Sequence, residues 1–298
     1  PEKTWLSYRY QICDNCGMYR SVLSESSEEL PAVCDVCGSR ISPRSQQFVV
    51  PEFGFISDKR PSQAGAFRPR RLYGSRAHFA GARAEASASR ELTSAEVHLS
   101  IYCREDAQMA VINRAPFYLC PRCGRGRPGG GQPPSKHKTP WGSDCNGKFL
   151  FANLGHQFLT DAAQLQLDGV PPSIPTVDAT WLSLLYALLG ATSETLQVPA
   201  RDLNGCLYPG GRRVRKTPDL VLFDNVPGGA GHTLRLAEPG VLEDVLETAI
   251  KRMRSCTCET SCYSCLRSYQ NQYCHDELDR QRALDVLVLM VSDPARTA

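Results

Sequence analysis

The chain has 298 residues, and its 34 Lys and Arg residues nearly balance its 31 Asp and Glu residues. Hydrophobic residues make up 42% and charged residues 22%, which is typical of globular proteins and excludes wholesale disorder and collagen-like repeats. No stretch approaches the roughly 20 apolar residues of a membrane helix, and no secretory signal is visible. We therefore expect a cytoplasmic protein with no membrane partner.

Cysteine is the most informative residue type in the composition. Of 14 cysteines, all but Cys103, Cys206 and Cys274 fall into three tight groups. Fourteen are too few for a small disulfide-stapled scaffold and more than a typical cytosolic enzyme carries. In a chain without a secretory signal, this grouping predicts metal sites held by thiolates in a reducing compartment.

The first cysteine group lies in residues 1–50 and consists of two C-x-x-C pairs. Cys13 and Cys16 are separated from Cys34 and Cys37 by 17 residues. Each pair forms a knuckle whose sulfurs point to one side, and two knuckles complete a tetrahedral zinc site. Because glycine directly follows each pair and suits the left-handed turn of a knuckle, we predict a zinc-ribbon-like module over residues 1–50.

Residues 51–115 are predicted to be a basic linker followed by a β segment. Between residues 59 and 90 there are eight basic residues and one acid, with aromatic residues interleaved. Such a stretch favours contacts to phosphates and bases, although a solvated surface rich in arginine is the alternative. Alternating apolar residues over 95–113 predict a pair of strands. The candidate nucleic-acid-binding residues here are Arg68, Arg70, Arg71 and Arg76, and a second patch follows at Arg212, Arg213, Arg215 and Lys216.

The second cysteine group lies in residues 116–150, which we predict to be a second zinc module. Cys120, Cys123 and Cys145 lack a fourth thiol nearby. His137 is favoured as the fourth ligand because Cys3His is an accepted structural zinc site and a loop suits ligation. Cys103 is the alternative, although a solitary strand cysteine is more often a small buried hydrophobic residue.

Residues 151–298 are predicted to form a mixed α/β domain. Apolar spacing predicts helices over 181–196, 241–253 and 278–291, and a continuous apolar run predicts a buried strand over 219–224. The expected fold class is therefore mixed α/β (α+β), with zinc-ribbon-like β modules preceding an α/β domain that carries a four-cysteine zinc site.

A glycine-rich turn follows the predicted strand at residues 223–232. It suits either a phosphate cradle or a tight turn in which two backbones approach closely. The tight turn is favoured because no Lys or second catalytic group accompanies the loop. A metal-dependent nuclease would use Asp219, Asp224 and His232, which are weak support without a larger acidic cluster.

The third cysteine group comprises Cys256, Cys258, Cys262 and Cys265. Four thiolates within ten residues must surround one centre, for which zinc is the default and an iron–sulfur cluster the alternative. None of the three ligand sets leaves the open position of a catalytic zinc site. We therefore expect three structural zinc ions and no catalysis by this chain alone.

The segment from residue 256 to residue 284, "CTCETSCYSCLRSYQNQYCHDELDRQRAL", resembles the MrfA-type zinc-binding domain found at the C-terminal end of superfamily 2 DNA helicases. Segments 48–55, 119–145, 154–167 and 222–232 look like the same helicase-associated region. The resemblance implies a zinc site at the four cysteines of the third group and an ATP-driven DNA motor upstream of residue 1. Members of this wider group act in bacterial DNA repair and in phage defence. The DISARM component DrmB, which works beside a separate helicase, has a related domain.

The function expected from residues and resemblance together is that of a zinc-binding C-terminal helicase or translocase region. It would bind or position DNA beside a motor outside these residues. One alternative is an interaction subunit that docks on a separate helicase and stimulates it. The other is the metal-dependent nuclease described above.

Overall fold

The computed structural model describes residues 5–42, 46–51, 75–82, 85–94, 96–129, 131–132, 135–209 and 217–291. Within these residues the fold is mixed α/β and consists mostly of sheet, with three α-helices, as the sequence predicted. None of the described helices is both long and apolar enough to span a membrane.

The strands are numbered in chain order. They are β1 Ser7–Ile12, β2 Tyr19–Leu23, β3 Gln46–Val49, β4 Ser75–Ala82, β5 Ala88–Thr93, β6 His98–Asn113, β7 Phe117–Leu119, β8 Gly126–Pro128, β9 His137–Lys138, β10 Asp144–Cys145, β11 Leu150–Asp168, β12 Leu203–Tyr208 and β13 Asp219–Asp224. The helices are α1 Asp178–Leu196, α2 Val241–Ser255 and α3 Arg280–Val291, with 3-10 turns at Ala200–Asp202, Thr233–Ala237 and Gln272–Cys274.

Two long antiparallel strands, β6 and β11, form the centre of an 11-stranded sheet. β11 also pairs with β3, β7 and β13, so strands from residues 1–50, 51–115, 116–150 and 151–298 all join one sheet. The division into those four segments stays a prediction. The predicted strand pair within residues 95–113 is wrong, because the polar residues at 104–106 continue as extended backbone within the single 16-residue strand β6.

The main hydrophobic core lies between one face of this sheet and the three helices. Trp181 and Leu184 of α1 are fully buried against residues such as Leu99 of β6 and Leu165 of β11. Burying an aliphatic side chain of this size stabilises the fold by about 1.5–3 kcal/mol. The predicted helices lie within or close to α1, α2 and α3, and α2 has acids in its first turn and arginines in its last, as the helix dipole favours.

A second core lies between strands β4, β6, β11, β12 and β13. Phe79 of β4 contacts Tyr208 of β12 edge to face, with ring centroids 5.0 Å apart. Phe223 and Met109 belong to the same cluster and are fully buried. The sheet therefore curls, so that β4 and β12 pack together through their side chains.

His78 of β4 is a buried histidine that stacks on Tyr19, with ring centroids 5.1 Å apart. Burial, with a smaller contribution from Arg76, lowers the pKa of His78 to about 4. In the unfolded chain the His78 imidazole is protonated near pH 6.5, whereas in the folded chain it is protonated only near pH 4. The stability that depends on keeping His78 uncharged is therefore fully present above pH 6.5 and is lost as the pH falls toward 4.

We predict that His78→Phe reduces the acid sensitivity of folding. The free energy of unfolding of the wild type should fall by a few kcal/mol between pH 6.5 and pH 4, and the variant should lose less over the same interval. Urea unfolding at both pH values measures the difference, with zinc content recorded at each pH. If the free energy of unfolding fell equally in both proteins between pH 6.5 and pH 4, the assignment of this acid sensitivity to His78 would be contradicted.

Candidate metal centres

The first tetrad comprises Cys13, Cys16, Cys34 and Cys37, whose Sγ atoms all lie within 4.8 Å of one another. The Cys13–Cys37 and Cys16–Cys34 Sγ pairs are 3.5 and 3.6 Å apart. Disulfide sulfurs are about 2.05 Å apart, whereas thiolates in a tetrahedral zinc site with bonds of about 2.3 Å are about 3.8 Å apart. The spacing therefore fits four thiolates around one zinc ion.

Two local turns position these thiols. The Cys13–Cys16 knuckle forms the connection between β1 and β2, and Gly17, at φ +81°, donates its N–H to the Cys13 carbonyl at 2.7 Å. In the second knuckle Gly38, at φ +71°, donates its N–H to the Cys34 carbonyl at 2.9 Å. The left-handed turns predicted after each pair are confirmed at both glycines.

The two knuckles are also linked away from the sulfurs. Arg20 of β2 forms an ion pair with Asp35 at 2.5 Å across the pair of knuckles. Hydrogen bonds from the side chains of Asn15 and Ser39 lower the pKa of Cys37 to about 5, whereas burial raises the pKa values of Cys13 and Cys16. Because zinc binds the thiolate form of cysteine, these hydrogen bonds favour ligation.

The second tetrad comprises Cys120, Cys123, His137 and Cys145, again with all ligand atoms within 4.8 Å. The Cys120 and Cys145 Sγ atoms are 3.9 Å apart, and the Cys123 Sγ lies 3.2 Å from His137 Nε2. His137 and Cys145 are directly paired across the β9–β10 hairpin. Three thiols and one imidazole match a structural zinc site.

The structure places His137, rather than Cys103, beside the three cysteines. Cys103 lies in β6, fully buried in the main core, where its Sγ faces the carbonyl oxygens of Thr233 and Leu234 at 3.8 and 3.7 Å. It packs as a small hydrophobic residue, because a central strand holds its side chain against the helices.

The third tetrad comprises Cys256, Cys258, Cys262 and Cys265. Their closest Sγ distances run from 3.4 to 3.8 Å. These distances suit a single ion, whereas the thiolates of a four-iron cluster lie further apart because each ligates a different iron. A hydrogen bond from the Ser264 backbone lowers the pKa of Cys262 to about 6, which favours the thiolate there, whereas burial raises the pKa values of Cys258 and Cys265.

Three arginines donate hydrogen bonds to the segment that carries the third tetrad. Arg252 of α2 donates to the Ser264 carbonyl at 3.1 Å, and Arg267 donates to the Ser261 hydroxyl at 2.9 Å. Arg280, at the start of α3, donates to the Cys258 carbonyl at 2.9 Å. Arg280 could not be assigned to this site from the sequence, because no local motif links it to cysteines 15 or more residues earlier.

The glycine-rich turn after β13 is organised around a buried carboxylate. Asp224 is fully buried and accepts backbone N–H bonds from Ala230, His232 and Thr233 at 2.8–3.0 Å. Asp161 accepts the N–H of Gly231 at 2.7 Å. The donors that a phosphate would need are thus already used, so the geometry favours the tight turn.

The residues of the nuclease alternative are not gathered into one site. Asp219 and Asp224 stand at opposite ends of β13, and Gln164 and Gln166 donate to the Asp219 carboxylate. Over the residues that the structure describes, the three tetrads are the groups of three or more His, Cys, Asp or Glu side chains placed to hold a metal ion.

Most of the predicted nucleic-acid-binding residues lie outside the described residues. Arg68, Arg70, Arg71, Arg212, Arg213, Arg215 and Lys216 all do so. Arg76 is described and is exposed on β4. Its guanidinium lies 5.9 Å from the centroid of the Tyr273 ring, and that of Arg114 lies 5.2 Å from the same ring.

Comparison with known proteins gives a family match in the second half of the chain. Residues 184–266, which include the third tetrad, match the family model of the MrfA Zn-binding domain. The chain is 28% identical over 212 residues to the Druantia protein DruE of Escherichia coli (strain UMEA 4076-1), a match covering 61% of this chain and 11% of DruE. The chain therefore spans about a tenth of this curated relative.

Two solved structures of the DUF1998 helicase MrfA are also similar to this chain. The first, bound to DNA, has a TM-score of 0.42 and 15% identity, over 74% of this chain and 26% of MrfA. The second, bound to DNA and AMPPNP, has a TM-score of 0.35 and 13% identity, over 65% of this chain and 23% of MrfA. The described chain itself contains three Cys-rich tetrads consistent with three zinc ions.

Proposed function

We propose that this chain is the zinc-stabilised C-terminal region of an ATP-dependent DNA helicase or translocase, and that it binds or positions DNA beside a motor outside these residues. The observation that carries the proposal is that residues matching the MrfA Zn-binding domain hold a complete four-cysteine tetrad built into the main core. A role in DNA repair or phage defence rests on the resemblance to that helicase group.

In this proposal the twelve tetrad residues are the zinc ligands and their role is structural. At the first two tetrads the ion, when bound, cross-links loops that bury too little apolar surface to fold alone, and at the third it joins the end of α2 to the 262–265 loop within the main core. Four protein ligands close each site, so no position is left for a reacting water. The proposed ligands are Cys13, Cys16, Cys34 and Cys37; Cys120, Cys123, His137 and Cys145; and Cys256, Cys258, Cys262 and Cys265.

DNA binding by the isolated chain tests the proposal. The zinc-loaded chain is titrated into fluorescein-labelled single-stranded and duplex DNA, and anisotropy is recorded at several salt concentrations. We expect binding that weakens steeply with salt, because phosphate contacts release counterions. Absence of binding to every DNA at low salt would contradict it.

Arg70→Ala combined with Arg71→Ala tests the predicted basic segment. If both arginines contact phosphates, affinity should fall for all sequences and the salt slope should decrease by about 1.4 to 1.8. Arg201→Ala is the control, since that side chain is exposed and lies next to Asp202. An unchanged affinity and slope in the double variant would remove the assignment.

The docking subunit is the second candidate. A related domain occurs in DrmB, which works beside a separate helicase, and this supports the alternative. It is distinguished by adding a helicase motor in trans: a subunit should show little DNA affinity alone and should increase the motor's DNA-stimulated ATPase rate.

A further inference from the structure

Trp141 is the most exposed large hydrophobic side chain among the described residues, at 85% of its full accessibility. It lies at the tip of the β9–β10 hairpin, between His137 and Cys145 of the second tetrad. Tryptophan is highly buried on average in proteins, and Trp181 of this chain is fully buried. An indole held in solvent beside a zinc site therefore suggests a contact with a partner.

The turn that presents Trp141 is ordered by hydrogen bonds. Thr139 donates its N–H to the Ser143 carbonyl at 2.7 Å, and Gly142 donates its N–H to the Thr139 carbonyl at 3.0 Å. Gly142 has φ +93°, which suits glycine at this position of the turn. With the tetrad at the base of the hairpin, the backbone that carries the indole is ordered before any partner binds.

Further aromatic rings continue from the second tetrad to the surface. Phe149 lies 4.4 Å from the His137 ring and 6.3 Å from the Tyr118 ring, measured between centroids. Tyr118 in turn lies 4.9 Å from Phe151, which is 53% exposed. The module and the adjoining start of β11 thus expose two aromatic side chains, Trp141 and Phe151.

The same module is strongly basic. Residues 116–150 contain six Lys and Arg residues and one acid, Asp144, a net charge of +5, whereas the whole chain carries +3. Four of these cations are exposed and form no ion pair with a carboxylate of the described residues: Arg127, Lys136, Lys138 and Lys148. A fifth, Arg122, is also exposed, but its charge acts on the Cys145 thiol of the tetrad. The local charge is therefore available to an anionic partner.

We infer that the second zinc module binds single-stranded nucleic acid, stacking a base on Trp141 and placing phosphates on the surrounding cations. Exposed aromatic rings combined with unpaired cations are the features that bind a single strand without sequence preference. A duplex offers phosphates but keeps its base faces stacked, so the ring would gain little from it. The inference rests on the proposed function and specifies which form of DNA the chain holds and where.

Intrinsic fluorescence gives a direct test on the zinc-loaded 298-residue chain. The chain has three tryptophans, and stacking on Trp141 should quench the exposed one while Trp181 stays unaffected. Titration with oligo(dT) should quench the wild type. Trp141→Ala should bind about tenfold more weakly and lose the ligand-induced quenching. Trp141→Phe should bind within about threefold of the wild type, because a ring is retained.

The control is Tyr263→Ala, which removes another exposed aromatic side chain without altering the second module. It should bind oligo(dT) like the wild type and retain its zinc. Lys136→Ala combined with Lys138→Ala should lower the salt slope for single strands by about 1.4. Oligo(U) and duplex arms separate RNA from DNA and single from double strands.

Each result has a distinct meaning. Wild-type affinity for oligo(dT) in Trp141→Ala, or preference for duplex without quenching, would overturn the inference and leave the proposed DNA-binding function standing. A wild type that binds no nucleic acid would overturn both. Binding of oligo(U) as tight as that of oligo(dT) would support the stacking surface and show that it accepts either polymer.

Discussion

Cys265→Ser is expected to remove one of three zinc ions and to destabilise the layer of helices on the sheet. Cys265 is 2% exposed and belongs to the main core together with Leu266. Its tetrad joins the end of α2 at Cys256 to the 262–265 loop, and Arg280 connects the tetrad residue Cys258 to α3. Loss of this cross-link therefore separates parts of the core rather than one surface loop.

The expected size of this effect is large. Structural zinc binding is worth about 10–16 kcal/mol in zinc-finger peptides, similar to or above the total stability of most domains. We expect the free energy of unfolding of Cys265→Ser to be lower than that of the wild type by more than about 5 kcal/mol, and its Tm to be lower by more than about 10 °C. Elemental analysis should find two zinc ions per chain in the variant.

Cys274→Ser is the matched control for Cys265→Ser. Cys274 is equally buried and lies in the same core, but it is not a tetrad residue. Its Sγ already faces the Asn271 carbonyl at 3.3 Å, an acceptor that a serine hydroxyl also suits. The control should retain three zinc ions and lose at most about 2 kcal/mol. Equal losses in the two variants would show that burial, not metal, explains the effect.

Asp224→Ala is the second substitution with a large expected effect. The carboxylate accepts three backbone N–H bonds and is fully buried, so its removal leaves three donors without their partner. Hydrogen bonds to charged groups contribute about 1.5–3 kcal/mol each, and unpaired buried donors add a penalty. We expect the free energy of unfolding to fall by about 4 kcal/mol or more.

Urea unfolding of Asp224→Ala beside Asn225→Ala tests this account of the turn. Asn225 is the exposed neighbour, whose side chain donates to the Arg201 carbonyl at the surface. That control should change stability by less than about 1 kcal/mol. A loss below 1 kcal/mol in Asp224→Ala would contradict the view that this carboxylate organises the glycine-rich turn.

The metal groups were the feature best predicted from sequence, because cysteine spacing limits which thiols reach one ion. A C-x-x-C pair forms its knuckle from adjacent residues, so the thiols of Cys13 and Cys16 come together independently of the rest of the fold. The pairing of His137 with Cys145 is also local, since it depends on one short hairpin. The helices were predicted well for a similar reason, because the spacing of apolar residues within a single segment indicates each of them.

The sheet was predicted less well because its pairing is non-local. Nothing near residues 95–113 shows that β6 pairs along its whole length, apart from one bulge near Asp161, with β11 more than 40 residues later. Arg280 was missed for the same reason, as its partner is the Cys258 carbonyl. The exposure of Trp141 is likewise a property of the folded hairpin, since composition alone favours burial of tryptophan.

The zinc content of the purified wild-type chain tests the central claim most directly. Elemental mass spectrometry with a visible absorption spectrum should find three zinc ions per chain and no iron, in a colourless protein. Two or fewer zinc ions in fully folded chain, or iron with visible absorption, would contradict the account of three structural zinc sites.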